Sequence, residues 1–511
     1  MKIVRETLIF PFDTHRLRFR YLRLLGRLAY RGHPLAREDR RLDLAFAPEG
    51  EPVSAILADI TATIEVASLD RDGAHRTLSR GQAAFVVLAG LLAAIGVALD
   101  PGAAGVTVHH VFFAIFLLGG MTRLAAACTP LKAEEPPPLA DADLPTYTII
   151  APLYREAEVV AELVENLQAL DYPRDRLQAL IVLEADDEVT LAAVKTIALP
   201  AFVQVLIAPP GTPKTKPRAC NHALDRARGE LVVIYDAEDM PDPGQLREAA
   251  ARFAASDKRL ACLQAPLRIE DPGFSLFLPS QFRLEYAAHF EVLLPALARW
   301  GFVFPLGGTS NHFKTAALRE IGAWDPYNVT EDADVGFRLA AAGYRLGVIQ
   351  RPTWETAPTT WNQWFPQRAR WIKGHMQTLA VHGRGLVLRQ PRNAVSMVLT
   401  LAQSVASSHL HGPVMAVAIV AAAADYLPDG QFSFPIWDLT LYALGWGSAA
   451  IAGARGVMRA GGQPKSLHLF GMAGYWLLQS VAAGKALHQF VTAPHRWDKT
   501  QHAPRSGRLT P

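Results

Sequence analysis

Acidic pairs recur at short spacing in the middle of this chain. Asp236-Ala237-Glu238 follows the β-branched run 231–235, and Glu184 closes a second such run, with Asp186 two residues on. Two carboxylates one residue apart suit a hard divalent cation, Mg²⁺ or Mn²⁺, which clamps a diphosphate and neutralises charge on a leaving group. A carboxylate at a strand end also accepts from a ribose hydroxyl or a base N–H. Taken alone, each cluster reads more readily as a solvated acidic loop with acidic helix caps.

Between those strand ends lies Pro213-Lys214-Thr215-Lys216-Pro217-Arg218-Ala219-Cys220-Asn221. Lysines and an arginine at the start of a helix suit a phosphate-bearing ligand, because the helix N-terminus adds partial positive charge. An ordinary basic turn has the same composition. Gly307-Gly308-Thr309 is a small-residue loop that a sugar can approach closely, and equally a tight turn. Thr330-Glu331-Asp332 opens an amphipathic stretch, 333–342. Asp332 is placed to take a proton from a hydroxyl, with Glu331 beside it. Acidic residues also stabilise a helix N-terminus, and both readings hold together. Some 35 residues further on comes Gln367-Arg368-Ala369-Arg370-Trp371.

The elements that must hold these residues are legible as short β-branched runs, 147–151, 179–183, 202–207 and 231–235, each followed by helix-like sequence. That alternation predicts a mainly parallel sheet with helices on both faces. Ligands in such sheets bind beyond the carboxyl ends of the strands, where the acidic residues lie.

Long apolar runs flank this region. Runs 82–99 and 106–127 each approach the ~20 residues needed to cross a bilayer. Arginines precede the pair and Lys132 follows it, which predicts a hairpin with both ends cytoplasmic. Four later runs, 395–410, 413–427, 436–457 and 467–490, predict three or four further spans, the first lying at the interface. The chain divides accordingly into an N-terminal cytoplasmic region 1–80, a transmembrane hairpin 81–128 and a linker 129–145. A catalytic domain 146–385, C-terminal helices 386–493 and a cytoplasmic tail 494–511 follow.

Half of the 511 residues are hydrophobic, high for a wholly soluble enzyme, and the net charge of +3 gives no basis for a nucleic-acid partner. Cys128, Cys220 and Cys262 show neither pairing nor metal-ligand spacing. The mixed, charged first 20 residues lack the apolar core of a cleaved signal peptide.

The ordered set resembles the processive family 2 glycosyltransferases, the group of cellulose, hyaluronan and chitin synthases, and most of all the bacterial exopolysaccharide and β-glucan branch. The matching residues are Tyr147 to Glu156, Glu184, Lys216 to Asn221, Asp236-Ala237-Glu238, Gln264, Thr330-Glu331-Asp332 and Gln367 to Trp371, within about 145–385. Glu184 and Glu238 stand where family members commonly carry Asp, keeping the charge at longer reach.

The resemblance implies an α/β fold, a GT-A-type, Rossmann-like nucleotide-sugar transferase domain inserted between α-helical transmembrane segments. It implies a multi-pass protein of the bacterial inner membrane that polymerises a UDP-sugar, UDP-glucose first, into a β-linked polysaccharide and secretes it through its own channel. A transferase adding one sugar to a lipid acceptor is the alternative. By position, Asp332 is the base with Glu331 beside it. Glu184, Asp186, Lys216, Arg218, Asp236, Gln367 and Arg370 bind the donor. Asp236 and Glu238 hold the metal. Trp371, helped by Trp361 or Trp364, and Gly307, Gly308 and Thr309 receive the acceptor. Trp437, Tyr442, Trp446, Tyr475 and Trp476 line the channel, and an export partner is an expected companion.

Overall fold

The computed structural model describes residues 73–131, 136–271, 277–384, 390–425 and 436–497. The expected region 1–80 up to Asp72, four residues of the linker and the tail beyond Trp497 lie outside the described residues. The chain divides into two units, Met1–Leu78 and Ser79–Pro511, and the fold that follows is that of the second.

Two helices open it, α1 (Arg80–Leu99) and α2 (Pro101–Cys128). Ser79 and Gln82 cap α1 reciprocally, and Asp100 ends α1 while its side chain accepts from Ala103 N–H at the start of α2. Pro101 sits where a helix lacks a donor anyway. No residue of α1 is buried, and Phe85 is 71% exposed. Among the described residues these two helices are long and apolar enough to cross a membrane.

The middle of the chain builds a sheet of seven strands in the order β3-β2-β1-β4-β8-β6-β9. They are β1 (Tyr147–Leu153), β2 (Leu177–Glu184), β3 (Val203–Ala208), β4 (Leu231–Ile234), β6 (Leu260–Gln264), β8 (Asn311–Lys314) and β9 (Arg345–Val348). The core lies on both faces, as period-two alternation requires. Leu180 and Val182 pack on one side with Ile150 and Val232. Ala179, Ile181 and Leu183 pack on the other with Ile149 and Val233. One strand departs from the expected parallel set: β8 runs antiparallel to both β4 and β6. A second sheet, β5-β10-β7, joins β5 (Met240–Pro241), β7 (Leu267–Ile269) and β10 (Thr353–Glu355).

The helices that bear on the site are α3 (Lys216–Leu224), α4 (Phe277–Ala288), α5 (Glu331–Ala341) and α6 (Trp361–His382). A π-helical turn, His289–Leu293, carries α4 into a further helix, Leu294–Trp300. Beyond them, helix Pro391–Met397 and a π-turn Val398–Ala402 lead into α7 (Gln403–Asp425), followed by α8 (Ile436–Arg459) and α9 (Ser466–Thr492). The expected break between 395–410 and 413–427 is absent: α7 runs on through Pro413. Proline in a helix leaves backbone groups unpaired unless neighbours serve them. Here Ser480 Oγ accepts from Gly412 N–H at 2.9 Å.

Candidate active site

The antiparallel strand β8 assembles the site. Its first residue, Asn311, stands opposite Ile234 at the end of β4 and Gln264 at the end of β6. The loop before it, Gly307-Gly308-Thr309, therefore arrives at the same sheet edge as Glu184 and Asp236. Gln264 braces that loop, accepting from Gly307 N–H at 2.7 Å and donating to Thr309 O at 3.0 Å. Asn311 donates to Gly307 O at 2.6 Å. The carboxyl-end chemistry expected of the sheet is thus gathered from four strands.

Lys216, at the first position of α3, pairs with Asp236 and donates to Gly308 O at 2.7 Å. Burial opposes its charge, but Asp236 and Glu331 outweigh burial and hold its pKa well above the usual lysine value. Asp239 is buried; one carboxylate oxygen accepts from Asp236 N–H at 2.7 Å and from the Thr309 hydroxyl, and the other has no hydrogen-bond partner among the described residues. Burial, then the charges of Asp236 and Glu238, raises Asp239 well above its usual pKa. Glu355 is raised by burial and by the same cluster. The end of β10 delivers it, since Trp354 pairs with Met240 just past the acidic loop.

This excess of negative charge fits a divalent cation. Among the described residues no group of three or more His, Cys, Asp or Glu is arranged to enclose one. A site of two carboxylates completed by a diphosphate is the arrangement Mg²⁺ commonly takes.

Across the loop, Glu331 and Asp332 fall in the first turn of α5, which begins two residues before the expected start at 333. Burial pushes the Asp332 carboxyl up to about 6. Burial, with the charge of Asp332 added, pushes Glu331 up to about 8. A β-carbon on Gly308 would lie 3.4 Å from Asp332 Oδ2, so the glycine leaves the carboxylate's approach open. On α6, Arg370 donates to Val329 O at 3.4 Å and lies 4.5 Å from the centre of the Trp497 ring. Trp371 joins Phe282 and Tyr286 in an aromatic cluster, with ring centres 5.9 and 6.2 Å away. Arg368 forms a two-pronged pair with Glu285 at 2.7 and 2.6 Å and lies 4.8 Å from the Trp371 ring, fixing that platform.

One cavity of about 780 Å³ gathers these groups. Glu184, Lys216, Asp236, Glu238, Gly307, Gly308, Thr309, Glu331, Asp332, Gln367, Arg370 and Trp371 all border it. Two expected donor ligands do not. Arg218 turns to Glu184 at 2.5 Å, and Asp186 pairs with Lys214 at 2.5 Å in the open. The same space continues among the helices past Tyr442, Trp446, Tyr475 and Trp476. Trp437 is exposed at the head of α8 and does not border it, and Trp364 is fully buried, donating to Tyr475 Oη at 2.9 Å. Trp361, packed face to face on Phe365, stays outside too.

Glu355 and Trp497 were missed in the sequence. Glu355 sits in a three-residue strand with no motif around it. Trp497 is brought in from beyond α9 by hydrogen bonds, Lys373 to Arg496 O at 2.7 Å and Gln377 to Pro494 O at 3.1 Å.

Residues 145–374 match the family described as glycosyltransferase like family 2. Over 284 residues the chain is 25% identical to the beta-monoglucosyldiacylglycerol synthase of Synechocystis, covering 53% of this chain and 58% of that protein. Over 256 residues it is 26% identical to cellulose synthase 2 of Novacetimonas hansenii, covering 49% of this chain but 16% of that one. The chain thus spans little more than half of the first relative and a small part of the second. The mannosyltransferase PcManGT of Pyrobaculum calidifontis, solved in complex with GDP-Man and Mn²⁺, superposes with a TM-score of 0.53 at 21% identity, over 76% of this chain and 97% of that one. These matches mark the middle of the chain as a glycosyltransferase domain, the catalytic part of a transferase, with a GT-A-like α/β fold and a mixed sheet.

Proposed function

We propose that this protein is a membrane-embedded inverting glycosyltransferase that polymerises a UDP-sugar, UDP-glucose first, into a β-linked polysaccharide and passes the product out between its own helices. The observation that carries the reading is the single cavity that joins Asp236 and Asp332 to Tyr442, Trp446 and Trp476 on α8 and α9. A resemblance to cellulose synthase 2 supports it.

In this reading Asp332 takes the proton from an acceptor hydroxyl as that oxygen attacks the anomeric carbon of the donor. The bond from that carbon to the diphosphate oxygen breaks, and UDP departs. One displacement inverts the centre, so an α-linked donor gives a β-linkage. Lys216 and Arg370 face the negative charge that develops on the leaving group. Asp236 and Glu238 would hold Mg²⁺ or Mn²⁺, which supplies further charge for the diphosphate. Trp371 offers its ring to the acceptor's terminal sugar. Helices α1 and α2 anchor the domain at the bacterial inner membrane, with α7 to α9 completing the span and an export subunit receiving the chain.

The test is product length from the purified full chain in liposomes, given UDP-glucose and Mg²⁺ or Mn²⁺. Long chains support the reading. A single glycolipid product supports the second reading, transfer of one sugar to a lipid. That alternative is favoured by the likeness to a glucosyldiacylglycerol synthase and by Phe112, Phe113 and Phe116 of α2 on the cavity wall.

A further inference from the structure

Arg123 stands near the C-terminal end of α2 and borders the cavity. Its guanidinium turns inward to α8, donating from Nε to the buried Ser448 hydroxyl at 3.2 Å and from Nη2 to Gly445 O at 3.4 Å. Both contacts are long, and both partners are neutral. Among the described residues no acidic side chain is near enough to offset the charge. Arg368 on the same wall shows the contrast, held by both oxygens of Glu285. An arginine within a membrane span is costly and marks a site when its charge is left uncompensated.

His411 of α7 lies within electrostatic reach of Arg123 and also borders the cavity. Its Nε2 is buried and has no hydrogen-bond partner among the described residues. Two rings hold it edge-on, Phe116 of α2 with ring centres 6.1 Å apart and Trp476 of α9 at 5.1 Å. A buried polar atom left unmatched costs free energy until a ligand meets it.

Towards the start of α2 the cavity face becomes apolar. Phe112, Phe116, Gly119 and Arg123 follow at helical spacing, so they form one stripe, and all four border the cavity. Val414 and Val417 of α7 are on the wall as well. Val417 is 68% exposed, so the cavity opens sideways between α2 and α7.

We propose that Arg123 and His411 bind the phosphate of an anionic membrane lipid, whose chains lie along Phe112, Phe116 and Val417 in that opening. The inference rests on reading α2, α7 and α8 as membrane spans, and not on the length of the sugar product. Phosphate oxygens accept from the guanidinium, whose planar fork suits them, and from Nε2–H of His411. A cation at one end of an apolar stripe complements a charged headgroup on hydrocarbon chains. A free phosphate satisfies Arg123 but leaves the phenylalanines unmatched, and a neutral glucose polymer offers the guanidinium no charge. The headgroup so held shares the cavity of Asp236 and Asp332.

The test titrates dioleoyl phosphatidic acid into the detergent-solubilised full chain, with saturating UDP and Mg²⁺ present to fill the donor site. Dioleoylglycerol, the same lipid without its phosphate, and inorganic phosphate are the comparison probes. Phosphatidic acid should bind ~10-fold tighter than either, as a charge-assisted contact implies. Arg123→Gln should remove that ~10-fold advantage, whereas Arg123→Lys, which keeps the charge, retains part of it. His411→Phe, which keeps the ring and loses the nitrogens, should weaken binding ~5-fold. Equal affinity of the wild type for phosphatidic acid and dioleoylglycerol overturns the site, whether or not the variants fold. Inorganic phosphate bound as tightly as phosphatidic acid overturns the lipid as occupant. A full chain that fails to float with phosphatidylcholine vesicles overturns the membrane reading, and the site with it; flotation without a preference for phosphatidic acid overturns the site alone.

Discussion

Gly374 lies so close to Thr330 that a β-carbon on the glycine would sit 2.2 Å from the threonine hydroxyl oxygen. Thr330 is the residue before Glu331-Asp332, and Gly374 lies one turn past Arg370. The contact therefore sets how near the cationic segment of α6 comes to the first turn of α5. Around it Gln377 accepts from Val329 N–H at 3.0 Å and Asn328 donates to Thr378 Oγ1 at 2.9 Å, so the approach is fixed on both sides.

Gly374→Ala forces the two elements apart. Overpacking of this kind costs ~1–3 kcal/mol. A lowered Tm together with more than a tenfold loss of kcat is the expected outcome, measured by thermal unfolding and UDP release. A variant as active as the wild type would show that the spacing between α5 and α6 does not matter.

Lys216→Met removes the cation that serves Asp236 and the Gly308 carbonyl together. Loss of one preorganised group facing developing charge costs ~10²–10³ in kcat. Steady-state UDP release reads the effect, and a loss confined to the donor KM would reassign Lys216 to binding alone.

Asp332 acts as a base only when ionised, and burial raises its pKa to about 6. Since the raised value makes the carboxylate take up its proton sooner as pH falls, kcat/KM should drop about tenfold per pH unit below that point. The acid limb of the profile for UDP release gives the value directly. A limb at the ordinary aspartate position, near pH 4, would mean that Asp332 is not the buried base.

Trp497→Ala takes away the ring that lies against Arg370. A cation–π contact contributes ~0.5–2 kcal/mol, so UDP-sugar affinity should fall between about 2-fold and 30-fold. Calorimetric titration with UDP-glucose checks this, and unchanged affinity would leave Trp497 a packing residue.

Much of this arrangement was legible in advance. The runs at 147, 179 and 231 became β1, β2 and β4 because a strand buried on both faces must be apolar throughout, the run at 202 became the half-exposed edge strand β3, and the acidic ends of β2 and β4 marked the ligand edge. The reversal of β8 was not legible. Asn311–Lys314 is four residues long and carries no signal of direction, yet it brings the glycine loop to Asp236. Glu355 was hidden for the same reason, since only the pairing of β10 with β5 and β7 places it. Asp186 and Arg218 misled because charge near a motif does not say where a side chain turns; each found a nearer partner of opposite sign. Pro413 read as a break, and the Ser480 hydroxyl that serves the backbone beside it lies 68 residues away.

The most direct measurement is of Asp332→Asn, which keeps the shape of the side chain and removes its basicity. Polymer formation and UDP release from UDP-glucose should both be abolished, while calorimetric binding of UDP-glucose stays measurable. Polymer formed at the wild-type rate by Asp332→Asn would contradict the account at its centre.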